Sequence, residues 1–431
     1  MTNNFQKGYL ILLFLVSPLF GIITLLKSKS EKFITFFGTF FTGILGSVYV
    51  YRPGYGDGWS HLKNAKEEYL NLSLADFLTQ TYQLLTFEQV DGAKDIYLHC
   101  ISYLSASVLQ TPELIHVFSG FVLGYFFSKS VLLVLKNHLT TQKGAILIGF
   151  IVLFLFIRSV GALNSIRMWT GMWVFFYGTY SWALTKDKKY LFTILFSIIV
   201  HFSYLVFVIP AAFAYLLRHK KYILVAIYIL SFFASLSFSS IESYLPQTSL
   251  VESQTKSNII DSEADAERYA VRQQSAIDNN QNFYIKYGQG FYTTYNIVGL
   301  SFIVILFYLN KRTDPNLIFL ISVGLGIYIF ANFMAFSPSI QGRAKMIASL
   351  FILVAAIHLQ LTLKRYNWSK KSISYLNKVL SLFLIFSIPV FLFHVSFLLE
   401  NFSLFSLFFP QVSWFLGEDD FSIRTAIGIF L

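Results

Sequence analysis

Arg158, Asn164 and Arg167 fall within the stretch "RSVGALNSIRMWTGMW" (158–173), in a chain that is otherwise almost wholly apolar. A guanidinium presents a planar fork of donors that matches phosphate oxygens in pairs. Arg343 in "GRAKM" and Arg52 in "YRPGYG" add to the set. His201, in "VHFSY" with Ser203, has the residue type that accepts a proton from a hydroxyl near neutral pH. Its bland alternative is a hydrogen bond to a backbone carbonyl. Asp57 in "GYGDGW" and Asp95 in "KDIY" are carboxylates beside aromatics, a pairing that suits sugar binding. Either also reads as a turn or helix cap, and for Asp95 the cap of the following helix is the preferred reading. Together these residues describe an anion site with an acid–base group beside it.

The elements that must position them belong to a membrane. The chain has 431 residues, 55% hydrophobic and 13% charged, against about 25% charged in soluble domains. Apolar runs of roughly 15 to 24 residues alternate with short basic clusters, the pattern of all-α polytopic membrane proteins. The net charge of +11 collects at the ends of those runs, so topology explains it and a nucleic-acid partner does not. The clusters at 27–32, 136–143, 186–189, 218–221, 310–312 and 364–371 are assigned to the cytoplasm. A span on each side of every cluster predicts about twelve transmembrane helices with both termini outside, the first run, Gly8 to Leu26, being a retained span. Seven of the ten arginines then lie on the outer side, namely Arg52, Arg158, Arg167, Arg268, Arg272, Arg343 and Arg424. Orientation bias does not predict that excess. Snorkelling to headgroups is the alternative for each one taken singly.

The chain reads as a single integral membrane domain, 1–431, with two external loops. The loop 51–111 ends in "DIYLHCISYLSASVL", read as an interfacial helix. The loop 241–290 carries the charged stretch "IDSEADAERYAVRQQ" and then "NNQNFYIKYGQG" with Tyr287. Tyr51, Tyr55, Trp59, Tyr284, Tyr287 and Tyr292 are aromatics of these loops that suit an interfacial belt. Between two cytoplasmic clusters, 190–217 has room only for a broken, hairpin-like pair of helices that turns near His201 to Tyr204. The lone Cys100, the missing Walker A loop, and the absence of HExxH, GxSxG and Cys/His clusters point to no metal and no cofactor.

"LNSIRMWTGMWVFFYG" followed by "KKYLFTILFSIIVHFSYLVFVIPAAF" resembles the paired signature of the Wzy/EpsG-type bacterial polysaccharide polymerases, an Asn-x-x-Arg helix and then a helix ending in Phe-His-x-Ser. Here these are Asn164 and Arg167, then His201 and Ser203, with Val200 in place of the phenylalanine and Met168 where the family commonly has Gln. Weaker resemblance extends to "GDGWSHLKNAKEEY", "KDIYLHCISYL", "GRAKM" and "FLGEDDFSIRTAIGIFL". The resemblance implies a GT-C-like architecture in the bacterial cytoplasmic membrane, with an outward-facing site that joins undecaprenyl-pyrophosphate-linked oligosaccharide repeats as donor and acceptor. It implies inversion without a metal, Arg167 with Arg158 and Arg343 on the pyrophosphate, His201 or Asp57 as base, and a growing glycan gripped by the loops through Tyr51, Tyr55, Trp59, Tyr284, Tyr287 and Tyr292. A flippase and a chain-length regulator are the implied protein partners. Two alternatives share the architecture: an O-antigen ligase, and a flippase, whose charges would line a path through a membrane middle that here holds little beyond Lys129. A membrane acyltransferase would want a histidine with an acidic partner, and no such pair stands out in the sequence.

Overall fold

The computed structural model describes residues 4–25, 30–51, 53–54, 56–135, 144–234, 236–237, 297–309, 314–362 and 369–403, with isolated positions in 248–271 and 406–425. About 82% of the described residues are helical, and no strand is present among them. In order, the helices are α1 (Asn4–Val16), α2 (Pro18–Leu25), α3 (Glu31–Ser47), α4 (Gly56–Asn64), α5 (Leu74–Leu85), α6 (Ile96–Ser102), α7 (Leu114–Leu135), α8 (Ala145–Phe156), α9 (Ile166–Thr185), α10 (Lys189–Val200), α11 (Ser203–Leu217) and α12 (Lys221–Leu230). After the second loop come α13 (Ile297–Tyr308), α14 (Pro315–Phe333), α15 (Pro338–Thr362), α16 (Lys370–Phe386) and α17 (Ile388–Asn401). π-helical turns extend α4 to Tyr69 and α6 to Val108, and a 3₁₀ turn, Val160–Ser165, leads into α9.

Proline and a cap set where α14 begins: Asp314 accepts the Asn316 N–H at 2.8 Å, and Pro315 occupies the first helical position. α14 and α15 form the centre of the bundle, and from Ala344 to Leu359 nearly every side chain of α15 is buried. α3 lies against α7 through small residues. A Cβ on Gly46 would stand 2.2 Å from the His116 carbonyl oxygen, and one on Gly120 would stand 2.4 Å from that of Thr42. With Gly124 completing a Gly-x-x-x-Gly spacing, the backbones approach closely, which is how helices associate where lipid removes the hydrophobic drive.

The expected twelve spans are not found. Four stretches among the described residues are long and apolar enough to cross a bilayer: Leu114–Leu135, Ala145–Thr185, Pro315–Phe333 and Pro338–Thr362. α16 and α17 make a fifth if this pair, bent by 42°, is one span. The apolar runs counted as further crossings fold into shorter pieces. α10 to α13 have 10 to 15 residues, roughly 15–22 Å against about 30 Å of hydrocarbon. The run Gly8 to Leu26, expected as one straight span, is two packed helices: a Cβ on Gly21 would lie 2.7 Å from the Phe14 Cα, nearer than a straight helix brings residues seven apart. The stretch 145–185 also doubles back, because the Phe154 ring lies 5.7 Å from that of Trp173. Hydropathy records that a run is apolar, and both lipid and a protein interior satisfy it.

The loop 51–111 is largely helical among its described residues. Tyr97, Leu98, His99 and Ile101 of α6 are buried. Exposed apolar side chains lie on α5, at Leu74, Leu78, Tyr82 and Leu85, and beyond α6 at Leu104, Val108 and Leu109.

Candidate functional site

α10 and α11 form a hairpin against α9. Tyr190 at the start of α10 meets Tyr177 in the middle of α9, Tyr204 at the start of α11 meets Phe175, and Tyr215 near the end of α11 returns to Trp182 with ring centroids 4.8 Å apart. The chain turns at His201 and Phe202, within the stretch predicted from the sequence. Gly171 makes the approach possible, since a Cβ there would sit 2.4 Å from the Tyr204 ring.

Asp95 occupies the centre of the site. It is the residue before α6, but its side chain does not cap that helix. Its carboxylate instead accepts the Phe202 N–H at 2.7 Å, at the start of α11. The expectation of a local cap is therefore corrected: Asp95 caps a helix 107 positions away. The same carboxylate accepts Arg167 Nη1 at 2.5 Å and lies 3.1 Å from His201 Nδ1 through both oxygens. Burial, the largest influence, pushes the Asp95 carboxyl up, but the charges and hydrogen bonds of His201, Arg167 and Phe202 outweigh it and hold it well below the usual carboxylate range.

A carboxylate only accepts, so His201 presents its N–H through Nδ1 and leaves a lone pair on Nε2. Ser203 Oγ lies 3.4 Å from that Nε2. The pair His201–Asp95 is the histidine with an acidic partner that the sequence pattern does not reveal. Arg167, with a 20% exposed side chain, uses Nη1 on Asp95. Arg343, on the first turns of α15, stands within electrostatic reach of Arg167, Asp57 and Asp95.

The loop of α4 is latched to the start of α9. Asn164 Oδ1 accepts both the Gly58 N–H at 3.0 Å and the Tyr49 hydroxyl at 2.9 Å. Asp57 accepts Ser165 Oγ at 2.5 Å. From the other side Asn401 donates to the Gly161 carbonyl at 3.1 Å. Asn164 thus holds the loop while Arg167, one turn later, reaches Asp95. Gly56 has φ +80°, and a Cβ on it would stand 3.3 Å from Asn164 Oδ1.

Arg158 has a different environment. Its guanidinium stands over Trp169 at 4.1 Å, with Phe397 at 5.1 Å and Phe393 at 5.5 Å, and its carbonyl accepts Trp173 Nε1–H. An aromatic cage of this kind holds a cation by the ring quadrupoles. The Tyr51 hydroxyl is 2.8 Å from His116 Nδ1. Arg52, Tyr55, Arg268, Arg272, Tyr284, Tyr287, Tyr292 and Arg424 lie outside the described residues.

Sequence reading passed over His61. It sits one helical turn after Asp57 on α4, is 7% exposed, and lies within electrostatic reach of Arg167, Asp95 and His201. Burial, with the Arg167 charge added, pushes its imidazole down to about 3, so the ring is neutral at physiological pH. The available signal was the i, i+4 spacing from Asp57.

Comparison with described protein families, with curated proteins and with solved structures finds nothing that matches this chain.

Proposed function

We propose that the protein is a membrane glycosyltransferase that joins undecaprenyl-pyrophosphate-linked repeat units into a polysaccharide at the outer face of a bacterial cytoplasmic membrane. The observation that carries this reading is the convergence of His201, Asp95, Arg167 and Arg343 at one place. A sugar hydroxyl of the acceptor repeat attacks the anomeric carbon of the donor chain. Its proton goes to His201 Nε2, and Asp95 keeps the other ring nitrogen oriented and stabilises the imidazolium. The bond from the anomeric carbon to the pyrophosphate oxygen breaks with its electron pair on oxygen, and Arg167 and Arg343 neutralise that charge. One displacement inverts the centre. Asp57, bonded to Ser165, positions the loop in this reading.

The connectivity Ser203, His201, Asp95 is also that of a nucleophilic triad, and it favours a second reading, acyl transfer through Ser203. Two guanidinium groups beside the pair support the pyrophosphate donor over the acyl one. Glycan gels from a strain lacking this gene, complemented with the intact protein, Arg167→Ala or Ser203→Ala, test both. The polymerase reading expects single repeats without the gene, a long ladder with the intact protein and with Ser203→Ala, and single repeats with Arg167→Ala. A ladder that survives deletion of the gene overturns it.

A further inference from the structure

Where α12 and α14 end and α15 begins, a cavity of about 310 Å³ is lined by none of the residues of the Asp95 centre. Its volume is at the lower end of small-molecule sites, about 300–1,000 Å³. Ser231, Phe232 and Phe233 line it just after α12, Asn332 at the end of α14 and Gln341 on the first turn of α15. Hydrogen bonds and rings hold this frame. Ser231 Oγ donates to the Tyr228 carbonyl at 2.7 Å and accepts Asn332 Nδ2–H at 2.9 Å, which ties α12 to α14. The Phe232 ring packs on Tyr228 and Tyr328, with centroids 5.1 and 6.0 Å apart, and is still 40% exposed. Asn332 keeps its carbonyl oxygen and second N–H, and Gln341 its whole side-chain amide, without a hydrogen bond among the described residues.

Among the described residues no charged side chain lines the cavity. Lys345, one turn after Gln341, stands instead over the Tyr328 ring, 6.0 Å from its centroid. A phosphate or carboxylate therefore meets no counter-charge there. An amide donates and accepts at once, which matches sugar hydroxyls, and an exposed aromatic face covers the C–H side of a sugar ring. Position narrows the choice further. Gln341 and Arg343 are two residues apart, about 200° around a helix, and Arg343 interacts with Arg167, Asp57 and Asp95. The cavity thus lies across the start of α15 from the Asp95 centre, at a helix diameter of roughly 10 Å. We infer that it is a subsite for an uncharged sugar of the pyrophosphate-linked donor glycan, further along the chain than the reacting one. Asn332 and Gln341 bond its hydroxyls and Phe232 carries its apolar face. This assignment rests on the glycosyltransferase reading.

Binding separates the subsite from that reading, because no turnover is needed. The full-length protein in phosphatidylcholine nanodiscs would be titrated with two probes, undecaprenyl pyrophosphate and the lipid-linked repeat isolated from the strain lacking this gene. The intact protein is expected to bind the repeat more tightly than the bare carrier. Gln341→Met keeps the length of the side chain without the amide, and Asn332→Leu does the same on α14. Each is expected to weaken the repeat about tenfold, the equivalent of one hydrogen bond. Each should leave undecaprenyl pyrophosphate unchanged, which reports in the same titration that the variant is folded. Equal affinity of the intact protein for both probes overturns the subsite and leaves the glycosyltransferase reading standing. Unchanged repeat binding in both variants overturns it too, as does an equal loss of both probes, since the amides would then only hold the helix ends together. A repeat affinity that differs between phosphatidylcholine and phosphatidylethanolamine discs in the intact protein, but not in Gln341→Met, means that a lipid headgroup fills the cavity and overturns the sugar. An intact protein that binds neither probe overturns the substrate class and this assignment with it.

Discussion

Asp95 and Arg167 are 72 positions apart in the chain, yet their side chains meet at 2.5 Å around a carboxylate that is 1% exposed. The pair ties the loop 51–111 to the start of α9 and carries His201 with it. Removing one member of a buried pair leaves the other uncompensated, at about 3–5 kcal/mol. Asp95→Asn is therefore expected to lower the thermal midpoint of the detergent-purified protein and to abolish polymer. The double variant Asp95→Asn, Arg167→Met should recover part of the stability and none of the activity.

The pH dependence follows from the depressed Asp95 carboxyl. A group whose folded pKa lies below its unfolded value, about 3.9 for Asp, contributes stability above that value and loses it as pH falls through the folded one. The difference in thermal midpoint between the intact protein and Asp95→Asn should stay constant from about pH 8 to pH 5 and narrow only below about pH 4. A difference that shrinks between pH 7 and pH 5 would show that the carboxylate is not held by its cations.

His201 Nε2 is the proton acceptor of the proposed displacement. His201→Ala should reduce the rate of polymer formation about 10²–10⁴-fold while the protein still reaches the membrane in normal amount. His201→Gln, which can still bond to Asp95 but cannot take the proton, should be equally inactive and closer to the intact protein in stability. A rate within threefold of the intact protein in either variant would remove His201 from the proposed chemistry.

Gly56 is strained against substitution twice, by φ +80° and by the 3.3 Å from a Cβ to Asn164 Oδ1. Gly56→Ala should cost about 1–2 kcal/mol and release the loop from Asn164. Faster protease cleavage between 51 and 64, with slower polymer formation, is the expected result.

Gly46 tests the α3–α7 contact. Its Cβ would meet the His116 carbonyl at 2.2 Å, whereas a Cβ on Gly299 of α13 would meet nothing within 4 Å. Gly46→Ala is expected to lose at least about 1–3 kcal/mol, read as a lower yield of monodisperse protein. Gly299→Ala should be neutral or gain up to about 1 kcal/mol from helix propensity.

The arginines at the ends of apolar runs, the turn at His201 and the anchoring aspartates can be picked out from residue type and local spacing, because each is written in a few adjacent positions. Asp95 shows where such reading stops. A carboxylate before a helix reads as that helix's own cap, and only the packing of α6 against α10 shows that it caps α11 instead. Arg158 shows the same limit from the other side, since its nearness to Arg167 in sequence does not fix its surroundings and the fold seats it on Trp169, Phe393 and Phe397.

By itself the sequence determined that this is an all-α chain built for a membrane, because the free energy of hydrating apolar side chains and unpaired backbone groups depends on composition and local periodicity alone. The tertiary structure decided how many of its apolar runs are long enough to cross, since a run is satisfied equally by lipid and by protein. It also decided that Asp95, Arg167 and His201 meet. Long-range contacts depend on how helices pack, and no spacing along the chain encodes a contact 72 or 106 residues away.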